Sequence, residues 1–356
     1  VSKPRFFIGL IEICDTILLL SEGLREKGYP VTNLVISSPN PLARHHGHDK
    51  YIEVSWSGYL FDLTREFMKS LTTHDIFVFN YCTSFCRLFF RAKQYQKLNF
   101  LDVSILKNLG KKIVFISNGD DLRSYKMLIK DLKRNNLLSH AKYIKKELQH
   151  IAPFPNYESV RKKKAHLVQK YADVIFAKPD RAHHLTKEYH IVWPPFDLDS
   201  VKYDIKQSDD PLIVHAPSNR NIKGTKYILR AIKNLKNEYK FTFLLCEAIP
   251  NEELRANLAK SEIVIDQILL PGYGLFGIEA MATGNAVLGS AVPGYNGFPE
   301  RLPIVTTTPD TIYENLKNML EDPELRRDLA QKGRAYVEKY HDYKKVTADF
   351  LQKIGA

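Results

Sequence analysis

Short apolar runs, each closed by a polar turn and followed by a stretch of helical period, recur along the whole chain. That alternation is what a parallel sheet covered on both faces by helices requires. The first half reads as strands at Phe6–Leu10, Val31–Ile36, Asp75–Asn80, Lys112–Ser117 and Ala172–Pro179. Helices are expected at Thr16–Lys27, closed by Gly28, and at Leu101–Leu109. The second half repeats the alternation, with strands at 212–217, 240–246, 262–266 and 286–290. Its helices are Thr225–Leu235, Asn251–Lys260, Gly277–Thr283 and Pro309–Glu321, with a helical tail from Glu324.

Between the halves lies "IVWPPFDLDS", residues 191–200. Two adjacent prolines fit neither a helix interior nor a central strand, so this is a rigid crossover. The expected division is an N-terminal Rossmann-like domain, 1–193, a C-terminal one, 194–340, and a last helix, 341–356, able to reach back to the first domain. The fold class is therefore α/β, two doubly wound halves with a cleft between them, and ligands in such sheets sit at the carboxyl ends of the strands.

The 356 residues suffice for two domains of ordinary size. No stretch has the roughly 18 uncharged apolar residues of a membrane span; the best candidate, Phe6–Leu20, contains Glu12 and Asp15. The start lacks the apolar core and small-residue cleavage site of a signal peptide. Four cysteines in this length fit a reducing compartment, and Cys82 and Cys86 have no second pair with which to build a zinc site. The net charge of +12 leaves three partner classes: nucleic acid, an anionic membrane surface, or phosphorylated small molecules. RNA-binding aromatic motifs, zinc fingers and a helix-turn-helix are absent, which disfavours the first.

"PGYGLFGIEAMATGNAV", 271–287, contains a literal G-x-G-x-x-G at Gly272, Gly274 and Gly277. A dehydrogenase fingerprint needs an acid at the tip of the next strand, about 20 residues on, and a place in the first βαβ unit. Here that strand ends in Ala291-Val292-Pro293, and the glycines lie deep in the second half. What remains is a glycine-rich approach to a helix carrying Glu279, whose carboxylate can accept two ribose hydroxyls while the helix-start amides face a diphosphate.

This stretch resembles the C-terminal signature of GT-B glycosyltransferases, the retaining family-4-like group with its E-G-F-G…E-A-M-A-x-G pattern. "HAPSNRNIKGTKYILRAI", 215–232, looks like the same group's diphosphate-holding loop, and "SNGDDLR", 117–123, resembles the G-x-D-x-R loop of related polysaccharide-assembly transferases. The resemblance implies a GT-B fold, a nucleotide diphosphate sugar as donor, a glycan or lipid-linked acceptor, no metal, no cofactor, and transfer with retention. It implies catalytic roles for Arg220 and Lys223 at the diphosphate and for Asp120 and Asp121 at the acceptor hydroxyl. Glu279 would hold the ribose, with the backbone of Gly272, Tyr273, Gly274, Leu275, Phe276 and Gly277 along the sugar and phosphates. Ser218, Gly9 and Glu247 complete the donor side, Gly9 as the loop after the first strand and Glu247 near the base. Asn118 and Arg123 belong to the acceptor side. Turn formation and helix capping by "NGDD" is an equal reading of that loop.

The chain departs from the pattern where the group carries a first glutamate: that position is Pro271, with Asp266 or Gln267 as nearby substitutes. Histidines 45, 46 and 48 read as a solvated loop, His183 and His184 as surface helix, and His215 as either pocket lining or core. The basic stretch 142–170 has Tyr143, Ile144, Leu148, Ile151 and Phe154 among its lysines. It is compatible with a membrane-surface helix near a lipid-linked acceptor, or with an ordinary solvated face. The expected location is the cytoplasm, at the inner face of the membrane in the first case. The competing functions are a nucleic-acid-directed protein, such as a DNA-modifying glucosyltransferase or a binding module, and a nucleotide-sugar epimerase.

Overall fold

The structure, a computed structural model, describes residues 2–37, 47–53, 59–86, 100–152 and 156–356. The chain forms two compact units, each built on one parallel sheet. The first comprises Val1–Ser124, Glu158–Pro195 and Tyr343–Ala356; the second comprises Tyr125–Tyr157 and Phe196–Asp342.

Among the described residues the first unit has six strands, β1 (Phe6–Leu10), β2 (Val31–Ser37), β3 (Lys50–Glu53), β4 (Ile76–Asn80), β5 (Lys112–Ile116) and β6 (Val174–Phe176), in the order 3-2-1-4-5-6. β1 and β4 are buried along their whole length, as strands covered on both faces must be. Helices α1 (Thr16–Glu26), α2 (Tyr59–Thr73), α3 (Leu101–Asn108), α6 (Tyr157–Tyr171) and α13 (Tyr343–Ile354) accompany the sheet. α13 belongs here because it packs on α1. A methyl on Gly23 would stand 2.2 Å from Thr347 Oγ1, and Phe350 stacks on Phe176 with ring centroids 5.1 Å apart.

The second unit has β7 (Leu212–His215), β8 (Thr242–Leu245), β9 (Ile263–Ile265), β10 (Ala286–Gly289) and β11 (Ile304–Thr306), in the order 11-10-9-7-8. Its helices are α4 (Tyr125–Arg134), α5 (Leu138–Ile151), the single turn α7 (Arg220–Lys223), α8 (Thr225–Leu235), α9 (Asn251–Leu258), α10 (Leu275–Thr283), α11 (Ile312–Glu321) and α12 (Pro323–Tyr340). α8 buries Ile228, Ala231, Ile232 and Leu235, the stripe an amphipathic helix lays on a sheet. α10 is buried from Phe276 to Thr283; Gly333 of α12 lets it come close, since a methyl there would meet Met281 Cγ at 3.1 Å.

Several expectations change. Residues 125–157 pack with the second unit, although chain order puts them in the first half. Tyr143 Oη donates to Asp310 at 2.5 Å and Tyr295 Oη to Asp131 at 2.6 Å. Glu147 accepts Tyr227 Oη at 2.7 Å and pairs with Lys226 at 2.8 Å. The helical tail consists of α12, which stays with the second unit, and α13, which joins the first, so this part of the expected division does not change. His183 and His184 lie in a turn, not a helix. In α5, Tyr143, Ile144 and Ile151 are buried and Leu148 packs against the same cluster, so these apolar residues are used inside the unit and not presented to a membrane. Phe154 and histidines 45 and 46 lie outside the described residues.

Candidate active site

In the second unit the chain leaves β7 toward β8 on one side and returns to β9 on the other, so β7 and β9 flank the topological switch point. Ligands in open parallel sheets bind at the carboxyl ends of the strands there. The loop after β7 carries α7 with Lys223, and Asp266 directly follows β9. Lys223 Nζ donates to Asp266 Oδ1 at 2.6 Å, and the amide of Gly274 donates to Asp266 Oδ2 at 2.7 Å. Asp266 is buried, so one carboxylate ties the lysine to the start of α10.

The glycines follow from this pair. A methyl on Gly274 would lie 3.1 Å from Lys223 Nζ, and one on Gly277 would lie 3.1 Å from Asp266 Oδ2. Gly272 has ordinary space, its nearest neighbour at 3.7 Å. Two of the three glycines thus make room for a buried ion pair. No side chain caps α10. The amides of Leu275, Phe276 and Gly277 precede the first helical bond, from Ile278 to Gly274 at 3.3 Å. Such helix-start donors, beside an ammonium, suit an anion.

Around this centre, Asn219 caps α7 by accepting from the amides of Asn221 and Ile222. Gln267 Nε2 donates to the carbonyls of Leu270 and Gly272, each at 3.1 Å, fixing the loop. Leu270 and, less deeply, Ile222 pack into one cluster with Leu128, Leu132, Ile144 and Ile151 of α4 and α5. The helix pair from the first half of the chain therefore braces both loops of the site. Sequence reasoning misses this because nothing local marks which sheet an amphipathic helix covers.

The other donor-side residues stand as follows. Arg220 is exposed and forms a two-point ion pair with Glu247, its Nε donating at 2.6 Å. Ser218 is exposed in the loop after β7. Glu279 lies one turn into α10, which begins at Leu275 rather than Gly277. Its carboxylate is buried, with Arg255 of α9 3.8 Å from Oε1. The Tyr273 hydroxyl is held at 2.8 Å from Tyr336 Oη and 2.9 Å from His341 Nε2, with its ring stacked on Phe298, so only its backbone is left to face a ligand. His215 is core: Nδ1 meets the Ile265 carbonyl at 2.7 Å and Nε2 meets Thr225 Oγ1 at 3.0 Å. Burial lowers its pKa to about 4.

In the first unit the switch point falls between β1 and β4. Both following loops carry non-glycine residues in the left-handed region: Cys14 and Asp15 after β1, Tyr81 and Cys82 after β4. Such conformations concentrate at functional sites. Asn80 Nδ2 holds the Ile11 carbonyl at 2.8 Å, and Asn118 Nδ2 bridges Asn80 Oδ1 and Thr16 Oγ1 at 2.9 and 3.2 Å. Gly9 lies within β1, not in the loop after it, where a methyl would strike the Leu34 carbonyl at 2.7 Å. The α1 start is occupied by the chain's own Glu12, which accepts from the amides of Ile13, Ile17 and Leu18. Burial, outweighing those bonds, raises this carboxyl to about 8. His48, expected in solvent, has its ring buried 3.7 Å from Glu12 Oε2.

The 117–123 stretch is a turn whose side chains form an ionic network. Asp121 is buried and accepts the Ser117 hydroxyl at 2.8 Å. Asp120 stays partly exposed and pairs with Arg123 at 2.9 Å. Arg123 also grips Asp180 at 2.7 Å. Burial alone would raise Asp180, but Arg123 and Arg181 outweigh it and bring it down to about 2. Among the described residues no group of three or more His, Cys, Asp or Glu is placed to hold a metal ion, and no helix is long and apolar enough to cross a membrane.

Residues 231–352 match a family model described as glycosyl transferase-like. Solved structures similar to this chain include a sucrose-phosphate synthase from Thermosynechococcus elongatus, at 15% identity and a TM-score of 0.62, with 98% of each chain covered. Another is WaaG, a glycosyltransferase involved in lipopolysaccharide biosynthesis, at 12% identity and 0.58, covering 98% of this chain and 99% of that one. A third is the catalytic domain of starch synthase IV from Arabidopsis thaliana, bound to ADP and acarbose, at 13% identity and 0.58 with full coverage of both. No curated protein matches in sequence. Two helix-flanked parallel sheets of this kind are the GT-B architecture, a fold this chain shares with those structures.

Proposed function

We propose that the protein transfers a sugar from a nucleotide diphosphate sugar to a glycan or lipid-linked acceptor, with retention of configuration. The observation that carries this reading is the Lys223–Asp266–Gly274 arrangement, which sets a fixed ammonium beside the uncapped start of α10 at a sheet switch point. Negative charge grows on the diphosphate as the sugar leaves, and fixed positive charge aimed at it is typically the largest catalytic contribution.

In this scheme Lys223 and the amides of Leu275–Gly277 receive the diphosphate. Arg220 joins them by exchanging Glu247 for a phosphate oxygen, and Glu279 holds the ribose. The anomeric carbon–oxygen bond to phosphate breaks as the acceptor oxygen attacks from the same face. The departing phosphate oxygen takes the acceptor proton, so no separate base is required. Asp120, the partly exposed carboxylate of its loop, orients the acceptor hydroxyl, and Asp121, Asn118 and Arg123 hold that loop in shape.

A panel of nucleotide sugars, with release of nucleoside diphosphate as the readout, tests the reading. Wild type should bind and turn over at least one donor, and Lys223→Ala should lose turnover by about 10²–10³-fold. If wild type binds no nucleotide sugar, or Lys223→Ala keeps full activity, the reading is wrong.

A further inference from the structure

A cavity of about 350 Å³ lies in the first unit and shares no lining residue with the site described above. It opens where β1, β2 and β3 begin, lined by Arg5, Thr32, Lys50, Glu66, Lys69 and His74 among others. All six strands of that sheet run parallel, so this is the edge opposite the loops of Asn80 and Asn118, about 16 Å away along a five-residue strand. Its size is within the roughly 300–1,000 Å³ of ligand pockets.

The lining chemistry is specific. Three cations face one carboxylate. Arg5 is held by Asp75 at 3.1 Å and Lys50 by Glu66, while no carboxylate among the described residues pairs with Lys69. The Thr73 hydroxyl donates to the Lys69 carbonyl at 2.8 Å, which uses its only proton. Its contact with His74 Nδ1, also 2.8 Å, must then be donated by the ring, leaving Nε2 as an acceptor. The ring stays neutral near pH 7, because burial and the nearby cations lower it to about 4. Phe7 meets His74 edge-on, with ring centroids 5.8 Å apart, at the apolar floor. The pocket therefore offers an anion the Lys69 ammonium, unpaired among the described residues, and the Thr32 hydroxyl, with acceptors at His74 and Glu66 for hydroxyl groups.

We propose that this cavity is a second ligand site, for a small phosphorylated polyol. The phosphate sits at Lys69 with Thr32 beside it, and the ligand's hydroxyls meet His74 Nε2 and Glu66. A free sugar phosphate and a phosphorylated inositol head group present the same chemistry.

Calorimetric titration of the full chain with glucose 1-phosphate, inorganic phosphate and glucose tests it, with phosphoinositide vesicles as a separate arm. Glucose 1-phosphate should bind more tightly than phosphate or glucose alone. Lys69→Ala, at an exposed side chain, should weaken it about tenfold or more, and Thr32→Val should weaken it further, while Lys223→Ala leaves it unchanged. Vesicle binding that depends on Lys69, without response to the soluble ligand, assigns the site to a lipid head group. The proposal is overturned if neither ligand form binds, or if binding survives Lys69→Ala. Loss in Lys223→Ala instead would place the ligand in the second unit and equally overturn it.

Discussion

Lys223 Nζ lies 2.6 Å from Asp266 Oδ1, joining two loops 43 residues apart in sequence inside one buried pair. Breaking such a pair from one side leaves an uncompensated charge, at a cost of about 3–5 kcal/mol, whereas replacing both partners with apolar groups is often nearly neutral. Asp266→Ala should therefore destabilise the protein more than Lys223→Met combined with Asp266→Leu. Urea denaturation of the two variants reads the difference; equal midpoints would show that the pair is screened by water. The double variant should fold and yet transfer no sugar.

Gly277 and Gly272 separate two reasons for a glycine. Alanine at Gly277 is favoured by about 1 kcal/mol of helix propensity, but its methyl would stand 3.1 Å from Asp266 Oδ2. Gly277→Ala should keep most of its stability while weakening donor binding about tenfold or more. Gly272→Ala, with 3.7 Å of clearance, should bind like wild type. Donor titrations of both variants decide; equal affinity would mean that the carboxylate yields without moving Lys223.

Ile144 on α5 is fully buried in the cluster that also holds Leu270. Ile144→Ala should cost about 2–5 kcal/mol. Because the cluster backs the glycine loop, it should also raise the donor KM at temperatures where the variant remains folded. Thermal melts and steady-state kinetics report the two effects, and a stability loss with an unchanged KM would confine α5 to a packing role.

His215 titrates near 4 in the folded protein, against 6.5 for an ordinary histidine. Between those values the unfolded chain binds the extra proton, so stability falls as pH drops through this window and is insensitive to His215 above it. The full span is about 3 kcal/mol. Denaturation of wild type and His215→Gln at pH 7 and pH 5 should show the variant losing less on acidification. Equal losses would mean that the imidazole accepts its proton without unfolding.

The parallel sheets were legible because continuous burial leaves a signal that a short window of sequence carries: Phe6–Leu10 and Ile76–Asn80 are apolar almost throughout. The edge strands β3 and β11 escaped, being only four and three residues long and incompletely buried. α2 was missed as well, although Leu63 and Phe67 sit at helical spacing on its buried side. The glycines and Glu279 stand out from their place before a helix, and Lys223 from the resemblance of its loop to the glycosyltransferase pattern. The partner of Lys223 could not, because Asp266 reaches it only once β7 and β9 lie side by side. Chain order also misassigned α4 and α5, whose polar anchors, Asp310, Tyr227 and Tyr295, lie 80 or more residues downstream.

The backbone changes unit after Ser124, Tyr157, Pro195 and Asp342. Scissors at the paired prolines would consequently produce no two self-sufficient halves. The leading fragment would strip Leu270, Ile222 and Tyr295 from the cluster of Leu128, Leu132 and Ile144, and would lack the terminal helix that shields Phe176 and Leu20. The trailing fragment would hold that helix without its seat. Each piece would be sticky where the intact molecule is dry, so recombinant work on this protein calls for the uninterrupted polypeptide or for both pieces made together.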